Sequence, residues 1–509
     1  MPYAAHDWVA HHAAHQPDSP ALSRAEDASM ITWGELDERV GRLARVLSHQ
    51  GVGAGDRIAL VGENDPRVFE TQFAAMRLGA LLVPLNWRLS IREMTDIAID
   101  AEPVLMLHDE EWADAATAVA DKAGIAHRLA WGGDDGGGYE SALSDAEWLG
   151  PRGDITFEDP THILYTSGTT GRPKGALSTH GTLVWQALNT AAASRMAEPG
   201  NHHLNPMPLF HAGGLGVMAN PILYFGGAVT TMRRFVPDQV LAALTSPLRP
   251  ATHFAAIPLM YRQMAEQAGF ADADFSHARQ FVIAGAIAEP VLLQEWADRG
   301  VPLQPQYGGT EHGPLATAID HPARWIDKAK KGSTGRKARH TEIRIVDPDG
   351  TDVPDGASGE LWLRGPSVTV GYWGKDNSDF FTDGWYRTGD AAWRDADGFY
   401  YLVGRTKEMY KSGGENIYPA EVERVLITHP LVTDVAVVGV PDAAWGEVGL
   451  AVVVTAEGAD VSLSELNAHA ADHLARFKMP KSLALVAELP RNVTGKVNRQ
   501  ALKEQYGGV

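Results

Sequence analysis

Thr161-His-Ile-Leu-Tyr-Thr-Ser-Gly-Thr-Thr-Gly-Arg-Pro-Lys-Gly175 begins as a short strand-like piece and runs into a loop of hydroxyls, glycines and a single lysine. The glycines let ligand oxygens approach the backbone. The amide N–H groups and the Thr and Ser hydroxyls can donate to those oxygens, and Lys174 adds a point charge. These are the requirements of a polyphosphate. The loop is not a Walker A loop, because Gly171 is followed by Arg-Pro-Lys where that motif has Gly-Lys-Ser/Thr. P-loop kinases and ATPases are thereby excluded. A plain surface turn is the bland alternative, and the order of the eleven residues from Tyr165 argues against it.

Outward from this loop, the chain alternates helical and strand patterns. Upstream, Thr32-Trp-Gly-Glu35 reads as a capping box, and Leu36, Val40, Leu43, Ala44 and Leu47 mark one helical face that ends at Gly51. A buried strand is expected at 57–61, a helix at 66–78 and an apolar run at 80–85. Ser90 is placed to cap the next helix, with a strand at 104–107 after it, and Gly132-Gly-Asp-Asp-Gly-Gly-Gly138 reads as a loop. Such βαβα alternation predicts an α/β fold with a largely parallel sheet covered on both faces. The texture changes over 345–405, where turns such as Asp347-Pro-Asp-Gly350 and Asp395-Ala-Asp-Gly398 separate strand-like pieces and predict an antiparallel, β-rich part. Beyond it a compact α+β pattern follows, with a helix from Pro419, strands at 435–440 and 450–455 and a helix from Ser464. The expected division is a large N-terminal domain over 1–405 and a small α+β C-terminal domain over 406–509.

Composition narrows the function classes. With 509 residues the chain is too long for one ordinary core. Forty-four Lys and Arg against 64 Asp and Glu give a net charge of −20, which argues against nucleic-acid binding through bulk positive charge. The absence of cysteine excludes disulfide scaffolds, thiolate metal sites and cysteine nucleophiles. No apolar run approaches membrane-spanning length and no signal peptide is visible, so a cytoplasmic enzyme is expected.

Four further motifs follow the loop: Tyr307-Gly-Gly-Thr-Glu311, Tyr386-Arg-Thr-Gly-Asp390, Gly404-Arg-Thr-Lys-Glu-Met-Tyr-Lys-Ser-Gly-Gly-Glu-Asn-Ile-Tyr-Pro-Ala-Glu-Val-Glu423 and Pro490-Arg-Asn-Val-Thr-Gly-Lys496. In this order and spacing the chain resembles the adenylate-forming superfamily over nearly its whole length, in the branch of acyl-CoA synthetases and aryl-CoA ligases. The resemblance implies ATP, Mg²⁺ and coenzyme A as co-substrates and cofactor, and a homodimer is compatible with it. It implies that Thr166, Ser167, Gly168, Thr169, Thr170, Gly171 and Lys174 cradle phosphates and that Thr310 contacts the α-phosphate. Glu311 and Thr166 would hold Mg²⁺, a hard cation that prefers oxygen. Ala286, Gln306, Tyr307 and Gly308 would line the nucleotide site, and Asp390 with Arg405 would take the ribose. Lys496 would bring a cation to the α-phosphate as a carboxylate attacks it. Lys407 would be the pivot of the C-terminal domain, with Lys411, Gly413, Gly414 and Arg234 on the CoA path. Arg88, Phe477 and Lys481 join that path more weakly, and Met479 departs from relatives that carry Arg.

His211, after Pro208-Leu-Phe210, resembles the family's gate to the carboxylate pocket. Amino-acid-activating relatives carry an acid at the position of His211, and none stands nearby here, so amino acids are not the expected substrate. Gly213, Gly214 and Gly309 fall at positions that line the acyl pocket, and glycine at 309 is expected to widen it. Their alternative role is in backbone turns. A bulky apolar, aryl, alicyclic or medium- to long-chain acid is the expected substrate. Loading of a carrier protein and a malonyl-type dicarboxylate activity, suggested by Arg233-Arg234, are the alternatives. His11 and His15 stand four apart on an expected helix, but no third metal ligand accompanies them.

Overall fold

The structure, a computed structural model, describes residues 3–506 apart from 133–137, 167–172, 197, 247–248, 287, 321, 325–329, 331, 413–414, 457–458, 472 and 492–495. It divides into two compact units, Met1–Glu342 with Leu363–Tyr386, and Ile343–Trp362 with Arg387–Val509.

The first unit is built on two sheets. One has six strands in the order His127–Trp131, Leu105–Asp109, Arg57–Val61, Leu81–Leu85, Pro160–Thr166 and Lys174–Thr179. The first five run parallel and the last antiparallel. Both faces of the 57–61 strand are used. Ile58 and Leu60 enter one apolar core while Ala59 and Val61 enter another, as the alternation of side chains across a strand requires. The expected helices form with their caps. Thr32 and Ser90 each close a capping box, on Trp33–His49 and Ile91–Ala101, and Asp65 caps Pro66–Leu78. The strand expected at 104–107 lies at Leu105–Asp109. Most of the Gly-rich loop expected at 132–138 lies outside the described residues, while Gly138 opens the helix Tyr139–Asp145.

The second sheet of this unit has nine strands. Its centre is parallel, from Pro20–Arg24 through Ala228–Thr231, His202–Asn205, His253–Ala256 and Gln280–Ile283 to Gln304–Gly309, and its edges are antiparallel. Its interior holds many polar side chains. Burial lowers the pKa of His203 to about 3 and those of His202 and His253 to about 4. In the six-stranded layer His162 falls to about 3, and His180, just beyond the return strand, falls to about 4 for the same reason. These imidazoles are neutral in the folded chain.

In the second unit, residues 390–394 pair antiparallel with Tyr400–Arg405 across the Asp395-Ala-Asp-Gly398 turn, and Trp393 stacks on Tyr401 at 4.1 Å. The C-terminal part centres on the long hairpin Val432–Asp442 and Gly446–Thr455. Val435 and Val437 enter one core with Val422 and Leu466, while Ala436 and Val438 enter another with Leu502. The helix expected from Ser464 starts one residue earlier, at Leu463, because Ser462 with Glu465 forms the capping box. Among the described residues no helix is long and apolar enough to cross a membrane.

Candidate active site

Two hairpins of the first unit bring the predicted residues together. Thr166 pairs with Lys174 across the first, so the hydroxyl-rich loop is the connection between strand Pro160–Thr166 and strand Lys174–Thr179. The second hairpin joins Gln304–Gly309 to Gly313–Ala318 through a turn made of Thr310, Glu311 and His312. Gly313 has φ +81°, a left-handed conformation that favours glycine. Gly308 is required for a different reason, since a Cβ there would lie 2.1 Å from the carbonyl oxygen of Pro314.

Glu311 is held from several directions. Thr166 Oγ1 donates to its Oε1 at 3.0 Å, Tyr372 OH donates to the same oxygen at 3.0 Å, and the N–H of Thr369 donates to its backbone carbonyl at 2.6 Å. Tyr386 OH lies 3.1 Å from Tyr372 OH, and since Tyr372 donates to Glu311, Tyr386 donates to Tyr372. Burial, then the neighbouring Glu311 charge, pushes the Tyr386 phenol far up, which keeps it a donor. Lys174 Nζ sits 4.2 Å above the Phe380 ring and 5.8 Å from that of Tyr372. A cation and a carboxylate are thus arranged around one tyrosine.

The remaining first-unit residues divide by environment. Tyr307 is buried, stacked on His312 at 5.1 Å. Gln306 is also buried; its Nε2 donates to Pro314 O at 3.2 Å, while its Oε1 has no partner among the described residues. Ala286 is exposed just past strand Gln280–Ile283. His211 caps the short helix Ala212–Gly214, its Nδ1 accepting from Gly213 N at 3.0 Å, which places the proton of the neutral ring on Nε2. Gly309, the glycine expected to widen the pocket, and Gly214 both face atoms instead of space. A Cβ at 214 would lie 2.2 Å from Pro208 O, and one at 309 would lie 2.7 Å from His312 Nε2. His312 therefore occupies the room that Gly309 leaves. Arg234 is matched by the buried Glu63, 2.6 Å from its Nε, and Glu63 also takes Arg233 at 2.7 Å. Arg88 lies over Trp87 and Phe210, at 4.9 and 5.7 Å. His11 and His15 lie on the outer face of helix Trp8–His15, and no metal-binding cluster of His, Cys, Asp and Glu is found among the described residues.

In the second unit Asp390 and Arg405 face each other across paired strands, with Arg405 Nε 2.8 Å from Asp390 Oδ1. Arg405 Nη1 also donates to Thr388 O at 2.9 Å. Lys407, Lys411, Lys481 and Lys496 are exposed, and Lys481 Nζ lies 3.5 Å over Trp445. Phe477 is exposed as well. Ser167, Gly168, Thr169, Thr170, Gly171, Gly413 and Gly414 lie outside the described residues.

The motifs did not disclose three residues that organise this site. Tyr372 and Phe380 stand in the 363–386 stretch, outside all five motifs, and His312 reads as an ordinary residue beside Glu311.

The sequence matches the AMP-binding enzyme family over residues 9–373 and the AMP-binding enzyme C-terminal domain over residues 421–496. The chain belongs to the AMP-binding enzyme family. It is 37% identical over 502 residues to the feruloyl-CoA synthase of an Amycolatopsis species, covering 98% of each chain. Its fold is similar to that of ATP-bound MatB from Rhodopseudomonas palustris, with a TM-score of 0.88, 31% identity and coverage of 98% of this chain and 99% of that one. It is also similar to the o-succinylbenzoate CoA synthetase of Bacillus subtilis in complex with its acyl-adenylate intermediate, with a TM-score of 0.87, 28% identity and coverage of 99% and 98%.

Proposed function

We propose that this chain is an AMP-forming acid–CoA ligase acting on a ring-bearing or otherwise bulky apolar carboxylic acid. The observation that carries the reading is the Thr166–Glu311–Tyr372 arrangement at the foot of the 167–173 loop, in a chain of the AMP-binding enzyme family. In the first step the acid's carboxylate oxygen attacks the α-phosphorus of ATP. The α–β phosphoanhydride bond breaks, and pyrophosphate leaves. In the second, the CoA thiolate attacks the acyl carbonyl and AMP leaves with the bonding pair. The phosphate loop, Lys174 and Thr310 bind the phosphates, Asp390 and Arg405 the ribose, and Ala286, Gln306, Tyr307 and Gly308 the base and its surroundings. His211 orients the carboxylate, and Lys496 meets the charge developing at the α-phosphate.

The donor set fits Mg²⁺. One carboxylate with a hydroxyl 3.0 Å away is the hard, sparse protein contribution that the ion accepts when phosphates and waters complete its shell. Bound there with ATP, it would supply charge neutralisation for the phosphates. Lys407 is assigned as the pivot between a 1–405 domain and a 406–509 domain, with Lys411, Gly413, Gly414, Arg234, Arg88, Phe477 and Lys481 serving CoA.

The apolar substrate is favoured by two observations. Arg233 and Arg234 share the buried Glu63, and Arg233 also meets Asp109 and Glu111, so both guanidinium groups are paired with carboxylates of the chain and are poorly placed for the second carboxylate of a malonyl-type acid. The feruloyl-CoA synthase relative carries the name of a ring-bearing monocarboxylic acid. Pyrophosphate release measured over aryl, alicyclic, fatty and short dicarboxylic acids tests this, and activity with short dicarboxylates alone would overturn it. Discharge of the adenylate by a carrier protein but not by CoA would move the reading to carrier loading. A cytoplasmic setting and a homodimer complete the proposal, and light scattering on the purified chain checks the second.

A further inference from the structure

Lys496 is exposed, and an exposed lysine has many rotamers and a strongly hydrated head. If it is to meet one phosphate, its backbone must be held in place. The segment is anchored on both sides. Upstream, Arg491 contacts the carboxylate of Asp434 and pairs with Val497 in a single antiparallel bridge, and Asn498 N donates to Pro490 O at 2.7 Å. Downstream, Arg499 opens the helix Arg499–Tyr506, whose Leu502 is buried with Val438, Leu450 and Val452.

Arg499 makes the ionic part of the anchor. Its Nη2 lies 2.8 Å from Oε1 and 2.7 Å from Oε2 of Glu423, and its Nη1 lies 3.3 Å from Oε2 of Glu408. Glu423 is itself fixed, since its Oε1 accepts from Val437 N at 2.7 Å. Three elements therefore meet on one carboxylate: helix Pro419–Leu426, strand Val432–Asp442 and helix Arg499–Tyr506. Side-chain exposures are 21% for Arg499, 14% for Glu423 and 34% for Glu408. A single exposed ion pair contributes little. A guanidinium gripping one half-buried carboxylate with two contacts and reaching a second carboxylate is a directional clamp that lysine cannot copy. Glu408 is the residue immediately after Lys407.

We propose that Arg499 is a positioning residue for Lys496, and that through Glu408 it makes the lysine's segment one body with the chain from residue 408 onward. Backbone rotation at the hinge is then confined to Lys407 and the residues before it, and Lys496 travels without changing its place relative to Glu408. The inference rests on the role proposed for Lys496.

The test measures the two half-reactions separately in Arg499→Gln, Arg499→Lys, Glu408→Gln and Lys496→Ala. Misplacing a catalytic group by about 1 Å can cost on the order of 10²-fold. Arg499→Gln is therefore expected to lower kcat for pyrophosphate release by ~10–100-fold with KM for ATP and acid unchanged. Transfer of a presynthesised acyl-adenylate to CoA should stay within about threefold, the margin of an unperturbed step. Arg499→Lys should restore part of the loss, and Glu408→Gln should repeat the pattern more weakly. An equal fall in both half-reactions, a raised KM in place of a lowered kcat, or wild-type pyrophosphate release in Arg499→Gln overturns the proposal. If Arg499→Gln does not fold, Glu408→Gln decides, because it leaves the Glu423 contacts in place; wild-type pyrophosphate release there also overturns it. Lys496→Ala keeps the two ideas apart. Should it fail to separate the half-reactions, the role of Lys496 falls; should it separate them while the Arg499 variants do not, only the clamp falls.

Discussion

The two units hold the residues proposed for the site differently. In the first, Glu311 is fixed by Thr166, Tyr372 and the backbone of Thr369, and Lys174 rests against Phe380. In the second, Asp390 is paired with Arg405, but Lys407, Lys411, Lys481 and Lys496 are all exposed, and the chain on either side of Lys496 is anchored. Fixed acceptors and donors suit a nucleotide that stays in one place through two steps. Exposed cations on a rigid support suit groups that must arrive and leave. Positive charge is concentrated at the end of the second unit. The last 34 residues carry 7 Lys and Arg against 2 Asp and Glu, in a chain whose net charge is −20.

Acid should separate the units most strongly. Burial holds His162 and His203 near pKa 3 and His180, His202 and His253 near 4, all in the first unit, whereas His429, His469 and His473 of the second are not buried. The unfolded chain protonates its histidines near pH 6.5 and the folded first unit does not. Its stability is therefore complete above pH 6.5 and is lost as pH falls toward 4. Each histidine can contribute up to ~1.4 kcal/mol per pH unit in that window, so five together can exceed a stability of ~5–15 kcal/mol. Hydrogen exchange read along the chain at pH 7, 5.5 and 4.5 should show amides of 1–342 losing protection before those of 405–506. Simultaneous loss would break the distinction.

Next in size is Lys496→Ala, where removing one stabilising cation should cost ~10²–10³ in adenylate formation. Transfer from a supplied acyl-adenylate to CoA should continue. If both steps fell alike, the lysine would not be the arriving cation that the contrast requires. Lys407→Pro approaches the same contrast through the backbone: fixing φ at the pivot should spare pyrophosphate release and reduce thioester formation by ~10-fold or more. Unchanged overall turnover would remove the pivot from Lys407.

Much of this was legible in the residues, for identifiable reasons. The helices at 33–49, 66–78 and 91–101 carry their caps in sequence, and the 57–61 strand is apolar on both faces because helices cover both. Thr166 and Glu311 announced themselves by motif and do meet at 3.0 Å. Gly309 shows where such reading stops. Its missing side chain suggested room for substrate, but the imidazole of His312, three residues on, fills that room. Only the hairpin turn, which folds 312 back over 309, reveals it. Tyr372 was equally silent, since it reaches Glu311 through tertiary packing across 61 residues of sequence. The polar interior of the nine-stranded sheet, with His202, His203 and His253, likewise runs against the apolar pattern by which buried strands are recognised.

The smallest expected effect tests how firmly the fixed side is fixed. Tyr372→Phe removes one hydroxyl and keeps the ring that lies near Lys174. Glu311 would keep Thr166 on the same oxygen, so its carboxylate would be less confined but not released. The loss should be on the order of 1 kcal/mol, or about fivefold, the usual net value of one hydrogen bond. It should weaken binding of Mg·ATP, measured by calorimetry at low and high Mg²⁺, most strongly where the ion is scarce. Phe380→Leu, which removes the ring nearest the Lys174 ammonium, should weaken nucleotide binding by a similar factor with no dependence on Mg²⁺. If both variants weaken binding with the same Mg²⁺ dependence, the tyrosine is packing and not a brace for the carboxylate. If only Tyr372→Phe responds to the ion, the first unit holds its carboxylate and its ammonium by separable contacts.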